Sequence, residues 1–248
     1  MRCAYPTRRP VVEHKDISTS EPALADHRGV QLATVVMLRL VDGVGGLTAS
    51  QVRRAMEFFR DALGEHREEL NRLNVFPVPD GDTGRNLWNT SVAVCAELTS
   101  AHTMADVCQG MYRGGLFGGR GHSGVIAGSI LRALAEEWRD LESIDARSMA
   151  TALRRAADEA HKSELTPIQG TILTLARDAA VAAERAVDAG VDDVPQLLKH
   201  VVEEAELALA RTQQTLAVLR RAGVVDAGAL GLTLLLSAFL RSSEECVE

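Results

Sequence analysis

The sequence predicts an all-α fold, and three features of the 248-residue chain support this prediction. Aromatic residues make up only 4% of the chain, and alanine and leucine dominate its apolar fraction, which favours a core of helices over one of strands. Apolar residues recur at helical spacing between breaks that are rich in glycine and proline. These breaks separate about eight helical segments and leave no convincing strand.

The domain boundaries are predicted from composition and periodicity. Residues 1–28 are polar, contain proline and lack periodicity, which predicts a flexible N-terminal tail. Residues 29–41 are largely apolar but too few to span a bilayer. We expect one domain over residues 29–242, followed by a charged tail over residues 243–248.

Helix limits are predicted from caps and helix-breaking residues. The first helix begins at Thr48 or Ser50 and continues to about Leu73. The later helices are predicted over about 86–98, 104–117, 123–141, from Asp145 or Ser148 to about Leu165, over 171–189, from Pro195 to Arg211 or beyond, and over 229–240. The apolar stretch 222–240 contains Asp226 and three glycines, so it is predicted to be a buried helix and not a membrane span.

Charge and cysteine usage restrict the classes of function. A net charge of −7 without a basic stripe argues against nucleic acid as a main partner. The four cysteines, Cys3, Cys95, Cys108 and Cys246, form neither a CxxC pair nor a zinc-binding spacing, which is typical of reduced thiols in a cytoplasmic protein. The first residues lack an apolar signal-peptide core, so no secretion signal is expected.

The segment 73–86 holds two prolines, two glycines and two carboxylates, and it cannot form a regular helix or a central strand. Asp80 and Asp82 lie two positions apart, and Thr83 and Asn86 follow them. Carboxylates held this close repel one another unless a cation lies between them, and Mg²⁺ prefers carboxylate oxygens, water and phosphate. The alternative is an ordinary turn between helices. The rigid Pro-x-Pro approach and the polar start of the next helix favour a site.

Three further breaks share the same design, with small or polar residues directly before a helix. They are 119–123, 170–171 and 226–228. A helix N-terminus presents unpaired N–H groups and a partial positive charge, both of which suit phosphate. Any one of these breaks could be an ordinary helix-terminating glycine. Gathered at one end of a helical bundle, the four would form a nucleotide pocket.

Three familiar motifs fail on their context. Residues 119–124 fit GxGxxG, but no strand precedes them. Residues 114–121 match part of the Walker A pattern but lack its lysine and its hydroxyl residue. Residues 80–91 begin like an EF-hand loop, but Arg85 stands at its glycine position and Ser91 at its final glutamate position.

The segment 74–84, Asn-Val-Phe-Pro-Val-Pro-Asp-Gly-Asp-Thr-Gly, closely resembles the signature of the nucleotide-binding domain of the fatty acid kinase family. That domain is related to the L subunit of dihydroxyacetone kinase. Residues 119–126, 167–174 and 223–228 resemble the family's later loops in the same order. The resemblance covers about residues 30–242. It implies an all-α, DhaL-like barrel of eight antiparallel helices that binds ATP and Mg²⁺ at one end.

The resemblance also implies roles for individual residues. Asp80 and Asp82 would be the catalytic metal ligands, joined by Asn74 with an offset of one residue. The residues around the nucleotide would be Thr83, Asn86, Gly119, Gly121, His122, Ser123, Gly124, Thr171, Asp226 and Gly228. This sequence departs from the family pattern at four places, namely Arg85 for Thr, His122 for Asn, Gln169 for Glu, and Ala229-Leu230 for Gly-Gln.

The implied reaction is phosphoryl transfer from ATP to an acceptor that a partner protein or further C-terminal domains would present. In the fatty acid kinase branch the acceptor is the carboxylate of a protein-bound fatty acid. In the dihydroxyacetone kinase branch, which the Val-Phe-Pro-Val-Pro lead-in disfavours, it is a hydroxyl group of dihydroxyacetone. A third interpretation is a regulatory module that binds nucleotide without turnover.

Overall fold

The computed structural model describes residues 46–245. The predicted tail 1–28, the apolar segment 29–41 and residues 246–248 lie outside the described residues.

The described chain contains ten helices, eight of them with 15 to 22 residues and two of them short. The long helices are α1 (Ala49–Glu65), α3 (Thr83–Glu97), α4 (Met104–Gly118), α5 (Gly121–Trp138), α6 (Ala146–Lys162), α7 (Ile172–Asp188), α8 (Val194–Thr215) and α10 (Ala227–Glu244). The short helices are α2 (Arg67–Leu73) and α9 (Ala217–Ala222). Within residues 46–245 the β pairing is limited to one isolated bridge between Leu47 and Ile144. The predicted all-α class with eight principal helices is confirmed.

The eight long helices form a closed ring. Each packs against its neighbours in the order α1, α3, α4, α5, α6, α7, α8 and α10, and α10 packs back against α1. Short connections make neighbouring helices antiparallel. Because the ring has an even number of members, every second helix begins at the same end, and the N-termini of α3, α5, α7 and α10 gather there.

The interior of the ring is built from alanine, leucine and a few large side chains. Trp138 and Phe239 meet edge to face, with ring centroids 5.6 Å apart. Helices α4 and α5 cross at Gly115 and Gly128, where a side chain on Gly128 would overlap the Gly115 carbonyl oxygen. Helix α10 packs against four long helices. No helix in the described part of the chain is long and apolar enough to cross a membrane.

Several helices begin at caps that the sequence predicts. Thr48 forms a capping box with Gln51, and Asp145 accepts a hydrogen bond from the Ser148 N–H at 2.7 Å. Thr171 accepts from the N–H of Leu173. Each cap contributes about 1 kcal/mol by satisfying an N–H group that has no partner inside the helix.

Several boundaries differ from the prediction. The single helix predicted up to Leu73 is wrong, because the chain leaves helical geometry at His66, where α1 ends and α2 begins. Helix α3 begins three residues before Asn86, since an earlier side chain caps its first turn. Helix α10 continues past Leu240 to Glu244, and the hydroxyl of Ser242 in its last turn donates to the Gln51 carbonyl oxygen of α1.

Candidate functional site

A cavity of about 550 Å³ opens at the end of the ring where α3, α5, α7 and α10 begin. Its wall contains ten of the predicted site residues, which are Asn74, Asp80, Asp82, Thr83, Gly121, His122, Ser123, Thr171, Asp226 and Gly228. The other three, Asn86, Gly119 and Gly124, lie outside the wall. The structure therefore brings together the four breaks that the sequence singles out.

Asn74 organises the loop that carries the two aspartates. Its side chain is buried, and its Oδ1 accepts hydrogen bonds from the backbone N–H groups of Asp82 at 3.0 Å and Thr83 at 3.1 Å. Its Nδ2 donates to the carbonyl oxygen of Val78 at 3.0 Å. The carboxamide thus ties both sides of the loop together and caps α3. With two hydrogen bonds on its oxygen, Asn74 is a loop-holding residue in this structure, and its direct contact with a metal stays a prediction.

Asp82 occupies the N-cap position of α3, but its carboxylate makes no capping hydrogen bond. The Oδ1 of Asn74 accepts a hydrogen bond from the N–H of Thr83, and the Oδ1 of Asn71 accepts one from the N–H of Arg85 at 3.2 Å. The Asp82 carboxylate is consequently free to face the cavity. Its ion-pair partner among the described residues is Arg85, with 3.7 Å between Nη2 and Oδ2.

Asp80 lies two residues before Asp82 and is exposed at the cavity wall. Gly81 between them has φ +65, a conformation that glycine adopts without strain. Within residues 46–245 no group of three or more His, Cys, Asp or Glu side chains could hold a metal ion. Mg²⁺ commonly keeps several waters and binds proteins through one or two carboxylates together with substrate phosphates. Asp80 and Asp82 supply two carboxylates at this wall, and their role as metal ligands stays a prediction.

The N-terminus of α5 lies against α3 because glycine occupies two contact positions. Gly121 has φ +58, and a side chain there would overlap the Asn86 carboxamide. A side chain on Gly124 would lie 2.6 Å from Thr90 Oγ1. Buried beside this contact, Asn86 Nδ2 and Ser123 Oγ have no hydrogen-bond partner among the described residues. Buried polar groups are normally paired, and Ser123 lines the cavity, so Ser123 Oγ is a candidate for contact with a ligand. Asn86 lies outside the wall, and its contact with a ligand stays a prediction.

Asp226 joins two of the converging helices. Its Oδ2 accepts hydrogen bonds from the N–H of Ile172 at 3.1 Å, in the first turn of α7, and from the N–H of Ala229 at 2.8 Å, in the first turn of α10. Burial raises the pKa of this carboxyl to about 6, because the charged form loses its hydration, and the two N–H groups offset only part of that effect.

One part of the cavity wall escapes prediction. Residues 163–166, between α6 and α7, line the cavity together with Phe76 and Ile168, and the Oε1 of Glu164 lies 3.3 Å from His122 Nε2. The sequence predicts a helix up to about Leu165, whereas α6 ends at Lys162, so residues predicted to be helical belong to this loop. The available signal is topological, since a loop that leads into α7 must reach the end of the ring where α7 begins.

The electrostatics of the cavity combine two opposite contributions. Each of the four helix N-termini carries about half a positive charge, which favours an anion near the first turn. Asp80 and Asp82 bring negative charge to the mouth. A polyanion bound together with a divalent cation is attracted by both contributions, the polyanion by the helix N-termini and the cation by the carboxylates. Either ion alone is attracted by only one of them.

Comparisons with known proteins agree with this geometry. The DAK2 domain model matches residues 77–241. The protein YloV of Bacillus subtilis is 40% identical over 182 residues, which is 73% of this chain and 33% of that protein. An uncharacterized protein of Staphylococcus saprophyticus is 38% identical over 182 residues, again 73% of this chain and 33% of the relative. The chain thus spans about one third of the length of these relatives.

A solved structure shares the fold. The dihydroxyacetone kinase from C. freundii, in complex with AMP-PNP and Mg²⁺, matches with a TM-score of 0.57 at 17% sequence identity. The match covers 93% of this chain and 38% of the kinase chain. This confirms the all-α fold predicted from the resemblance. The fatty acid kinase assignment stays a prediction.

Proposed function

Because the chain belongs to the DAK2 domain family, we propose that its cavity binds ATP with Mg²⁺ and serves ATP-dependent phosphoryl transfer. The observation that carries this proposal is the convergence of four helix N-termini and two carboxylates, those of Asp80 and Asp82, on one cavity. The complex of the C. freundii kinase with AMP-PNP and Mg²⁺ adds support at the level of the fold.

The proposed binding mode assigns a task to each side of the cavity. Asp80 and Asp82 hold the metal, and Asn74 keeps their loop in shape. Ser123 Oγ, at the cavity wall, donates to a phosphate oxygen, together with the first N–H groups of α5. When bound, Mg²⁺ would neutralise the charge that develops on the phosphate oxygens.

The reaction we propose breaks the bond between the γ-phosphorus and its bridging oxygen and forms a bond from that phosphorus to an acceptor oxygen, with ADP as the leaving group. The acceptor of first choice is the carboxylate of a fatty acid on a partner protein. A carboxylate is already an anion, so this transfer requires no base. The alternative acceptor, a hydroxyl group of dihydroxyacetone, would also have to lose a proton.

A regulatory module that binds nucleotide without turnover is the remaining alternative. The chain covers about one third of its relatives, so the acceptor site would belong to a partner or to further domains. Substitutions in the loops, such as His122 where the family pattern has Asn, keep this alternative open.

Calorimetric titration with ATP and Mg²⁺ tests the site. Asp80→Ala and Asp82→Ala should each weaken Mg²⁺-dependent ATP binding by at least about tenfold, because each removes one of two carboxylate ligands, and neither should reduce helical circular dichroism. Asp192→Ala is the matched control. Asp192 is exposed beyond the far end of α7, about 25 Å from the N-terminus of that helix.

The outcome for each variant is decisive. Undetectable ATP binding by the wild-type protein at millimolar nucleotide would overturn the proposal. Unchanged affinity in Asp80→Ala or Asp82→Ala would overturn the metal assignment.

Product analysis distinguishes the acceptors. An acyl phosphate formed on a fatty-acid-loaded partner gives a hydroxamate with hydroxylamine, which supports the fatty acid kinase reaction. Dihydroxyacetone phosphate would support the alternative acceptor, and nucleotide binding with neither product would support the regulatory module.

A further inference from the structure

Arg85 forms an ion pair with the carboxylate of Asp82, which makes no capping hydrogen bond. The two residues are one turn apart at the start of α3, and Nη2 of Arg85 lies 3.7 Å from Oδ2 of Asp82. The Arg85 side chain is 63% exposed and that of Asp82 is 27% exposed. Within the described residues this is the only ion pair of Asp82, and Asp80 has none.

The backbone around this pair is fixed by other groups. The N–H of Arg85 donates to Asn71 Oδ1, and the N–H of Asp82 donates to Asn74 Oδ1. The contact between Arg85 and Asp82 is therefore dispensable for the start of α3. A guanidinium that neither caps the helix nor packs in the core is free to change partners.

The pair is also weak. Exposed ion pairs of this kind stabilise proteins by about 0–1 kcal/mol, so a cation that competes for the carboxylate displaces the guanidinium with a penalty of no more than roughly fivefold in affinity. A divalent cation bound at Asp82 would also repel the guanidinium. The released side chain would then be at the edge of a cavity that suits phosphate.

We infer that Arg85 exchanges partners during ligand binding, from the Asp82 carboxylate in the metal-free protein to a phosphate oxygen of the nucleotide once a divalent cation is bound. This inference rests on the proposed function. It makes Arg85 a ligand-positioning residue that discourages binding of the bare cation and strengthens binding of the cation together with nucleotide. Guanidinium suits both partners, because its planar N–H donors match carboxylate and phosphate oxygens.

The exchange predicts effects of opposite sign for one substitution. Arg85→Gln removes the competing cation, so the affinity for Mn²⁺ alone, used in place of Mg²⁺ and followed through the electron paramagnetic resonance signal of the free ion, should rise by roughly two- to fivefold. The affinity for AMP-PNP at saturating Mg²⁺ should fall by about tenfold, because a charge-assisted hydrogen bond to phosphate is lost. Arg85→Lys keeps the charge, so its affinity for Mn²⁺ should be close to that of the wild-type protein.

Arg113→Gln is the matched control. Arg113 forms a comparable exposed ion pair with Glu97, the last residue of α3, at 3.1 Å between Nε and Oε2. It lies at the other end of α3 from Asp82, so neither affinity should change.

Changes of the same sign in both affinities, or no change in either, would overturn the exchange while leaving the proposed ATP site intact. A wild-type protein that binds neither Mn²⁺ nor AMP-PNP would overturn the proposed function and this inference with it.

Discussion

Asp226→Asn should make the protein less sensitive to pH. The substitution removes an ionisable group and keeps an oxygen that can accept from the N–H groups of Ile172 and Ala229. In the folded protein, burial raises the pKa of the Asp226 carboxyl from 3.8 to about 6. Ionisation of this carboxyl therefore costs more in the folded state than in the unfolded state.

The magnitude follows from the size of the shift. One pKa unit corresponds to about 1.4 kcal/mol, so a shift of about two units amounts to about 3 kcal/mol. The folded-state pKa is raised, so the stabilising contribution is fully present below the unfolded pKa of 3.8 and is lost as the pH rises through about 6. Between about pH 4 and pH 7 the wild-type protein should lose up to about 3 kcal/mol of unfolding free energy relative to Asp226→Asn.

Urea unfolding of both proteins across this pH range measures the effect. Taking the difference between the two proteins cancels contributions from other titrating groups. Asp145→Asn is a control, because the hydrogen bond from the Ser148 N–H lowers the pKa of Asp145 in the folded state, so its contribution is lost only below the unfolded pKa of 3.8 and the difference from wild type should stay nearly constant between about pH 5 and pH 7. A wild-type-minus-Asp226→Asn difference that stays constant with pH would refute the reasoning.

Three further predictions concern individual residues. Gly121→Ala should lower the free energy of unfolding by about 2 kcal/mol more than Gly190→Ala. Both residues have positive φ, but only a side chain at Gly121 would overlap Asn86. Thermal or urea unfolding measures the difference, and equal losses would contradict this prediction. Asn74→Ala should cost about 2 kcal/mol and weaken ATP binding, since two backbone N–H groups lose their acceptor, and calorimetry with unchanged affinity would contradict it. Burial raises the pKa of Cys108 to about 12, so a thiol reagent at pH 8 should label it slowly in the native protein and rapidly after unfolding.

Local sequence signals identify most of the fold. Thr48, Asp145 and Thr171 are expected at or near helix starts, and their side chains accept the hydrogen bonds expected of caps. The break at His66 follows Gly64 by two residues, but a single glycine inside a helical pattern does not predict a break. The ring itself is predicted by the family resemblance, since helix periodicity specifies which face is apolar but not which helix it meets.

The sequence predicts which residues belong to the candidate site better than it predicts the contacts that they make. Charge, turn chemistry and the resemblance point to Asp80 and Asp82, which the structure places on one cavity wall. No short-range rule indicates that Asn74 would cap a helix that starts nine residues later. The cavity contribution of Glu164 likewise depends on the closure of the ring, a long-range property that a local pattern does not encode.

The hydrogen bonds of Asn74 have a consequence for ligand affinity. They fix the loop around Asp80 and Asp82 during folding, before any ligand arrives. A loop ordered in advance loses little conformational entropy on association, so more of the interaction energy with a ligand becomes net affinity. The rigidity that Asn74 gives this loop is thus a form of preorganisation, and it allows a small number of polar contacts to hold a strongly hydrated ligand.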